Sequence, residues 1–153
     1  MRSIGPVLLV AVVAALAGAP AGAASDRARC EPTPSDGGGS DRGTAPLRAK
    51  IGTGHVLTGV VLSPSCRPIA GATVSFWQSN RKGVYTSAGR GAVITDRRGR
   101  FRFEGPRPVA YGGRPGHIHI KVVAADYEIL YTEYVPGGSR HGNVRLVLMP
   151  AAL

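Results

Sequence analysis

Residues 92–103, AVITDRRGRFRF, decide the fold class. Residues 92–96 are short and β-branched, Asp96-Arg97-Arg98-Gly99 carries turn residues, and Arg100-Phe101-Arg102-Phe103 alternates charge with aromatic ring. A period of two puts the arginines on one face and the phenylalanines on the other, which is how a strand with one wet and one buried face reads. The pattern continues outward. Upstream lie residues 55–62 (HVLTGVVL) and 68–77 (PIAGATVSFW), the latter alternating around Ala72, Val74 and Phe76. Downstream lie 117–124 (HIHIKVVA), 128–134 (EILYTEY) and 143–148 (NVRLVL). About seven short strands separated by Gly/Pro turns predict an all-β fold, a β-sandwich. No segment carries a helical stripe and there is no internal repeat.

The length of 153 residues limits the chain to one domain. Residues 1–23 read as a cleaved signal peptide: Arg2, an apolar run over 7–17 and an Ala21-Gly22-Ala23 cleavage signal. That run is well short of the ~20 residues that span a bilayer. Export to the cell envelope or beyond is therefore expected, with no stable membrane insertion after processing. Residues 24–50, with Pro32, Pro34 and Gly37-Gly38-Gly39, read as a flexible, linker-like arm, and 51–153 as the sandwich domain. In an exported chain, Cys30 and Cys66 most simply form one disulfide that staples the arm to the domain. They lack the C-x-x-C spacing of a redox or metal pair. The formal charge is +10, with eight basic residues between Arg81 and Arg107. Without a nucleic-acid motif, this reads as a solvated surface rather than a nucleic-acid site.

Four histidines are present, and two of them form His117-Ile118-His119. On a strand, residues i and i+2 share a face, so both imidazoles project together with Ile118 behind them. Two readings stand at this point: a pair of nitrogen ligands for one metal, or two polar residues on a wet face. Just upstream, the stiff loop PVAYGGRPG (108–116) holds Tyr111 and Arg114 near the pair. Further back, WQSNRKGVY (77–85) ends a strand and turns toward Tyr85.

Taken together, these segments resemble the intradiol ring-cleaving dioxygenases, a family that includes catechol, hydroxyquinol and protocatechuate dioxygenases. The matching pieces run in order through nearly the whole chain after the signal: G-V-V (59–61), PIAGATVSFWQSN (68–80), G-V-Y (83–85), TDRRGRFRF (95–103), PVAYGGRPGHIHI (108–120) and LYTEY (130–134). The most specific is Y-x-G-R-x-x-H-I-H joined to W-Q-x-N-x-x-G-x-Y. The start Cys30-Glu31-Pro32-Thr33-Pro34 is similar to that of a short exported subgroup. The resemblance implies a non-haem Fe(III) held by Tyr85, Tyr111, His117 and His119. Phenols ionise near pH ~10, so two tyrosinates call for a strongly polarising cation. The donor set argues against zinc, and copper is a weaker fit.

By the same resemblance, the substrates are a catechol-type aromatic diol and O2. Both oxygen atoms enter the ring, which opens between the hydroxyl-bearing carbons to a cis,cis-muconate. Tyr111 is the tyrosinate displaced to accept a substrate proton, and Arg114 is the fixed cation that steadies charge on the ring. Gln78 and Glu133 fall at possible pocket positions. Three departures stand out. Gly37-Gly38-Gly39-Ser40 replaces an aromatic G-P-F-Y-type segment that walls the pocket. Glu133 replaces a neutral Gln, and Arg114 is its obvious partner. The chain is short, and a helical N-terminal dimerisation region is not expected in it. The competing readings are a non-catalytic transthyretin-like or carboxypeptidase-regulatory-like sandwich, which shares G-V-V…P-I-A-G-A-T-V, and an iron-binding homologue with lost or altered activity.

Overall fold

A computed structural model describes residues 29–37 and 43–152. The expected signal peptide lies outside the described residues. Seven strands form: β1 (His55–Leu62), β2 (Thr73–Ser79), β3 (Tyr85–Ile94), β4 (Arg100–Gly105), β5 (Ile118–Val123), β6 (Leu130–Tyr134) and β7 (His141–Val147). They make a three-stranded sheet in the order β4-β1-β7 and a four-stranded sheet in the order β3-β2-β5-β6. All pairings are antiparallel except β1 with β7, which is parallel. There is no helix among the described residues, and the expected β-sandwich is what the chain adopts.

The alternation of β4 does what its sequence says. Phe101 and Phe103 are buried while Arg100 and Arg102 face solvent. Phe103 stacks on Phe76 of β2 at 4.3 Å between ring centroids, and Phe101 lies 5.6 Å from the same ring. Around these rings Leu57, Val61, Val74, Ile118, Ile120, Val122 and Leu146 fill the space between the sheets. The turn after β3 carries the chain from one sheet to the other. The Asp96 carboxylate accepts hydrogen bonds from the amides of Arg98 and Arg100, each at 2.8 Å.

One glycine is fixed by crowding. A Cβ on Gly59 would lie 2.5 Å from the Phe101 ring and 2.6 Å from the carbonyl oxygen of Val144 on β7. The backbone oxygen belongs to the parallel β1–β7 ladder and has little room to yield. Gly59→Ala is therefore expected to destabilise the fold by about 1–3 kcal/mol, the usual cost of overpacking. A lowered urea midpoint with an unchanged slope checks this. An unmoved midpoint would mean the ring and ladder relax freely.

The described residues of the stretch expected to be a linker-like arm form no strand of their own, yet their backbone is paired at many points. Cys30 and Cys66 are disulfide-bonded. The amides of Thr33 and Asp36 donate to the carbonyls of Val147 and Tyr131. Isolated parallel bridges join Leu47 to Ala92 and Lys50 to Glu104, along the edges of β3 and β4. Edge strands otherwise offer unpaired N–H and C=O groups to other chains.

Strand limits depart from expectation at two places. β2 begins at Thr73 rather than residue 68, because Gly71 turns there with φ +73°. β3 is ten residues long and begins at Tyr85, although TSAGRG (86–91) lacks apolar alternation. Of that segment only Arg90 and Gly91 pair with β2, and the Arg48 guanidinium donates to the carbonyls of Ser87 and Arg90 at 2.6 and 2.7 Å.

Candidate active site

His119 sits on β5 opposite Trp77 of β2 and Glu133 of β6. Ile118 and Ile120 point into the core, so His119 projects from the outer face of the four-stranded sheet. A register shift in β2 between Trp77 and Ser79 sets Ser79 opposite Tyr85 and brings Tyr85 in beside the histidine. The fourth group arrives on a turn. Tyr111 and Arg114 exchange backbone hydrogen bonds at 3.2 and 3.0 Å across Gly112 and Gly113, whose φ values are +57° and +77°. Two consecutive positive φ angles define the tight turn that Gly-Gly accommodates.

The four expected ligands converge. The Tyr85 hydroxyl lies 2.9 Å from His119 Nε2 and 3.5 Å from His117 Nε2. The Tyr111 hydroxyl lies 3.5 Å from His117 Nε2 and in direct contact with that of Tyr85. The two Nε2 atoms are 3.2 Å apart. Donors ~2 Å from a shared ion stand roughly 3.3 Å from one another, so the spacing suits one metal. The imidazoles would serve zinc as well as iron, but the two hard phenol oxygens suit a ferric ion better. Both histidines are only 2% exposed, which excludes the wet-face reading.

Neighbours fix how each donor is presented. The Trp77 indole stacks on His119 at 5.2 Å, with planes 12° apart. His117 Nδ1 lies 2.9 Å from the Pro115 carbonyl. A proton on Nδ1 leaves the Nε2 lone pair facing the site. Burial, with a smaller push from His117, lowers the His119 pKa, so the ring is held neutral as a ligand must be. Burial, then the hydrogen bond and charge of Tyr111, raises the pKa of Tyr85. Without a cation, this phenol keeps its proton.

Arg114 is half exposed at the rim and donates through Nη2 to Glu133 Oε2 at 2.5 Å. The other oxygen, Oε1, lies 3.3 Å from His119 Nδ1 and 3.9 Å from His117 Nε2. Burial works to raise the Glu133 pKa, but the Arg114 hydrogen bond and the nearby imidazoles hold it below the ordinary carboxylate value.

Gln78, expected at the pocket, lies elsewhere. Trp77 takes the site-facing position, so the next side chain is directed away. Gln78 Nε2 donates to the Pro106 carbonyl at 2.8 Å, tying down the base of the Tyr111 loop. It lines a separate cavity of ≈ 730 Å³, bounded by Asn80, Arg81, Pro108 and Val109, that contains none of the four donors. Of the remaining histidines, His55 lies buried against the Tyr134 hydroxyl at 3.2 Å and His141 is exposed at the start of β7. The roles of Trp77 and the Pro115 carbonyl were not anticipated. An indole that stacks across a sheet, and a backbone acceptor, leave no distinctive sequence signal.

The match to known proteins follows this geometry. A family model described as "Dioxygenase" matches residues 33–113, more than half of the chain, including Tyr85 and Tyr111. Catechol 1,2-dioxygenase 1 of Acinetobacter lwoffii is 30% identical over 107 residues, covering 52% of this chain and 34% of that protein. The protocatechuate 3,4-dioxygenase beta chain of Burkholderia cepacia is 31% identical over 110 residues, covering 57% and 46%. This chain thus spans between a third and a half of the length of these curated relatives. Among solved structures, the dioxygenase domain of a dioxygenase carbohydrate-binding protein fusion from Streptomyces sp. SirexAA-E superposes with a TM-score of 0.70 at 26% identity. That match covers 79% of this chain and 100% of that one. The intradiol ring-cleavage dioxygenase of Tetranychus urticae shares the fold with a TM-score of 0.69 at 18% identity, covering 80% and 97%. By the extent of the family match and the character of these relatives, the chain belongs to the intradiol dioxygenase family.

Proposed function

We propose that this protein is a non-haem ferric dioxygenase that opens a catechol-type ring between its two hydroxyl-bearing carbons, yielding a cis,cis-muconate. The observation that carries this reading is the convergence of Tyr85, Tyr111, His117 and His119 on one point. A transthyretin-like binding module has no use for two buried imidazoles and two phenols gathered this way. When bound, ferric iron would supply the charge that ionises the phenols and activates a catechol toward dioxygen.

The protein's own groups divide the remaining work. Tyr85 is anchored on a strand and hydrogen-bonded to His119, whereas Tyr111 rides a two-glycine turn. Tyr111 is therefore the phenolate that can swing away and accept a proton from a substrate hydroxyl. Arg114 stands at the rim as a fixed cation where charge grows on the ring. Its ion pair with Glu133 cancels much of the local positive field, which suits an uncharged catechol better than an anionic aromatic acid. An exported setting fits the Cys30–Cys66 bridge.

Reconstitution tests this reading. Protein supplied with ferric iron is expected to bind about one ion per chain and to take on the red-brown colour of iron tyrosinate. Anaerobic catechol should shift the band, and admitting oxygen should bleach it as muconate appears in the ultraviolet. A colourless protein that retains no iron after this treatment would overturn the reading.

A further inference from the structure

Glu133 is the one position in the site where this chain puts a charge in place of the neutral residue of the sequence pattern it resembles. Its two oxygens are separately engaged. Oε2 holds the Arg114 guanidinium at 2.5 Å, and Oε1 approaches Nδ1 of His119 at 3.3 Å. Nδ1 is the nitrogen of that ring turned away from the Tyr85 hydroxyl, which meets Nε2 at 2.9 Å. His117 already has a backbone acceptor at its own Nδ1, in the carbonyl of Pro115. Among the described residues no backbone carbonyl is hydrogen-bonded to the His119 ring, and Glu133 faces it directly across the β5–β6 ladder.

We propose that Glu133 is a positioning residue for His119: Oε1 accepts the Nδ1 proton and so fixes the tautomer that presents the Nε2 lone pair to the metal position, while Oε2, tied to Arg114, keeps the carboxylate from rotating away. The two histidines are then oriented by different means, one by the backbone and one by an anchored carboxylate. A carboxylate behind an imidazole also makes that imidazole a stronger donor. His117, His119 and Glu133 lie close enough together to share an ion, but Oε1 is nearer the outer nitrogen of His119, at 3.3 Å, than the inward nitrogen of His117, at 3.9 Å, and the positioning role rests on that closer contact. The benefit to a ferric site rests on the dioxygenase reading, but the tautomer does not.

Two measurements test the role. Long-range proton–nitrogen correlation on the metal-free protein is expected to find His119 protonated at Nδ1. The same should hold in Glu133→Gln, whose side-chain carbonyl can still accept. In Glu133→Leu and Glu133→Ala, the Nε2-protonated form should become populated. Ferric affinity, read by competition with a chelator, is expected to fall about 10–100-fold in the Leu and Ala variants, the usual effect of losing such a partner. Glu133→Gln should retain iron with a displaced charge-transfer band, because the negative charge behind the imidazole is gone. His119 protonated at Nε2 in the wild type, or at Nδ1 in both the Leu and Ala variants, overturns the proposal. So does ferric affinity unchanged by those variants. Complete loss of iron from Glu133→Gln would make Glu133 a ligand instead. Wild-type protein that binds no iron defeats the dioxygenase reading, while the tautomer comparison still decides the role of Glu133.

Discussion

Replacing His119 with alanine is expected to abolish the iron tyrosinate colour and ring cleavage together. The imidazole is 2% exposed, stacked under Trp77, and its Nε2 lies within 3.2 Å of both the Tyr85 hydroxyl and His117 Nε2. The ring is held near the start of β5 between Trp77 and Glu133 on the flanking strands. Losing an outer partner of a metal ligand costs about 10–100-fold in affinity, and losing the ligand itself should exceed ~100-fold. Tyr111→Phe should behave differently. Its turn lies at the rim, and three donors remain on or beside strands. Iron should stay bound with a weaker band, while ring opening fails for want of the displaceable phenolate. The split between the two variants is the informative result. If His119→Ala keeps the full spectrum, the donor set is wrong. If Tyr111→Phe keeps full activity, the proton goes elsewhere. Unfolding midpoints close to wild type in both would exclude a general loss of structure.

The contrast between His119 and its surroundings shows what a linear reading can reach. Alternation in RFRF (100–103) and in HIHIKVVA (117–124) marks which side chains face the core, Phe101 and Phe103 in the one and Ile118, Ile120 and Val122 in the other. The i, i+2 spacing of His117 and His119 likewise gives a shared face, and the charge of Glu133 points to Arg114 as its partner, which it is. Three features are not written that way. Tyr85 opens a ten-residue strand whose next six residues, TSAGRG, have no pattern of their own; Arg90 and Gly91 pair with β2, and the distant Arg48 side chain donates to the Ser87 and Arg90 carbonyls. The placement of Gln78 turns on Trp77 taking the site face and on the register shift that follows. The segments before β1 bind in large part through backbone amides and carbonyls, which every sequence possesses, with the Thr33 hydroxyl, the Arg48 guanidinium and the Lys50–Glu104 ion pair adding to them. Leu47 shows the point: it bridges to Ala92 while its side chain remains 68% exposed.

Removing the disulfide by a Cys30→Ser, Cys66→Ser double substitution is expected to have the largest effect on stability. The bridge spans a sequence separation of 36 residues. Closing a loop of that size restricts the unfolded chain by about 4 kcal/mol in the chain-entropy treatment. A domain of this length has a total stability of only ~5–15 kcal/mol, so that loss is a large fraction of it. Local structure points the same way. Cys30 is 8% exposed, its amide donates to the Pro64 carbonyl at 2.8 Å, and Cys66 adopts a positive φ of 58° in the turn that receives it. From this staple the chain runs past β7 and β6, with Thr33 bonded to Val147 and Asp36 to Tyr131. Asp36 comes near enough to His119 for its charge to act on the imidazole. Loosening the staple should therefore be felt at the site as well as in the fold. The urea midpoint should drop by an amount equivalent to about 2–5 kcal/mol in the double variant, and the same drop should follow thiol reduction of the wild type. Ferric iron, if it binds only the folded chain, should restore part of the loss in proportion to its concentration. A midpoint that neither substitution nor reduction moves would mean that the backbone contacts alone hold the arm in place.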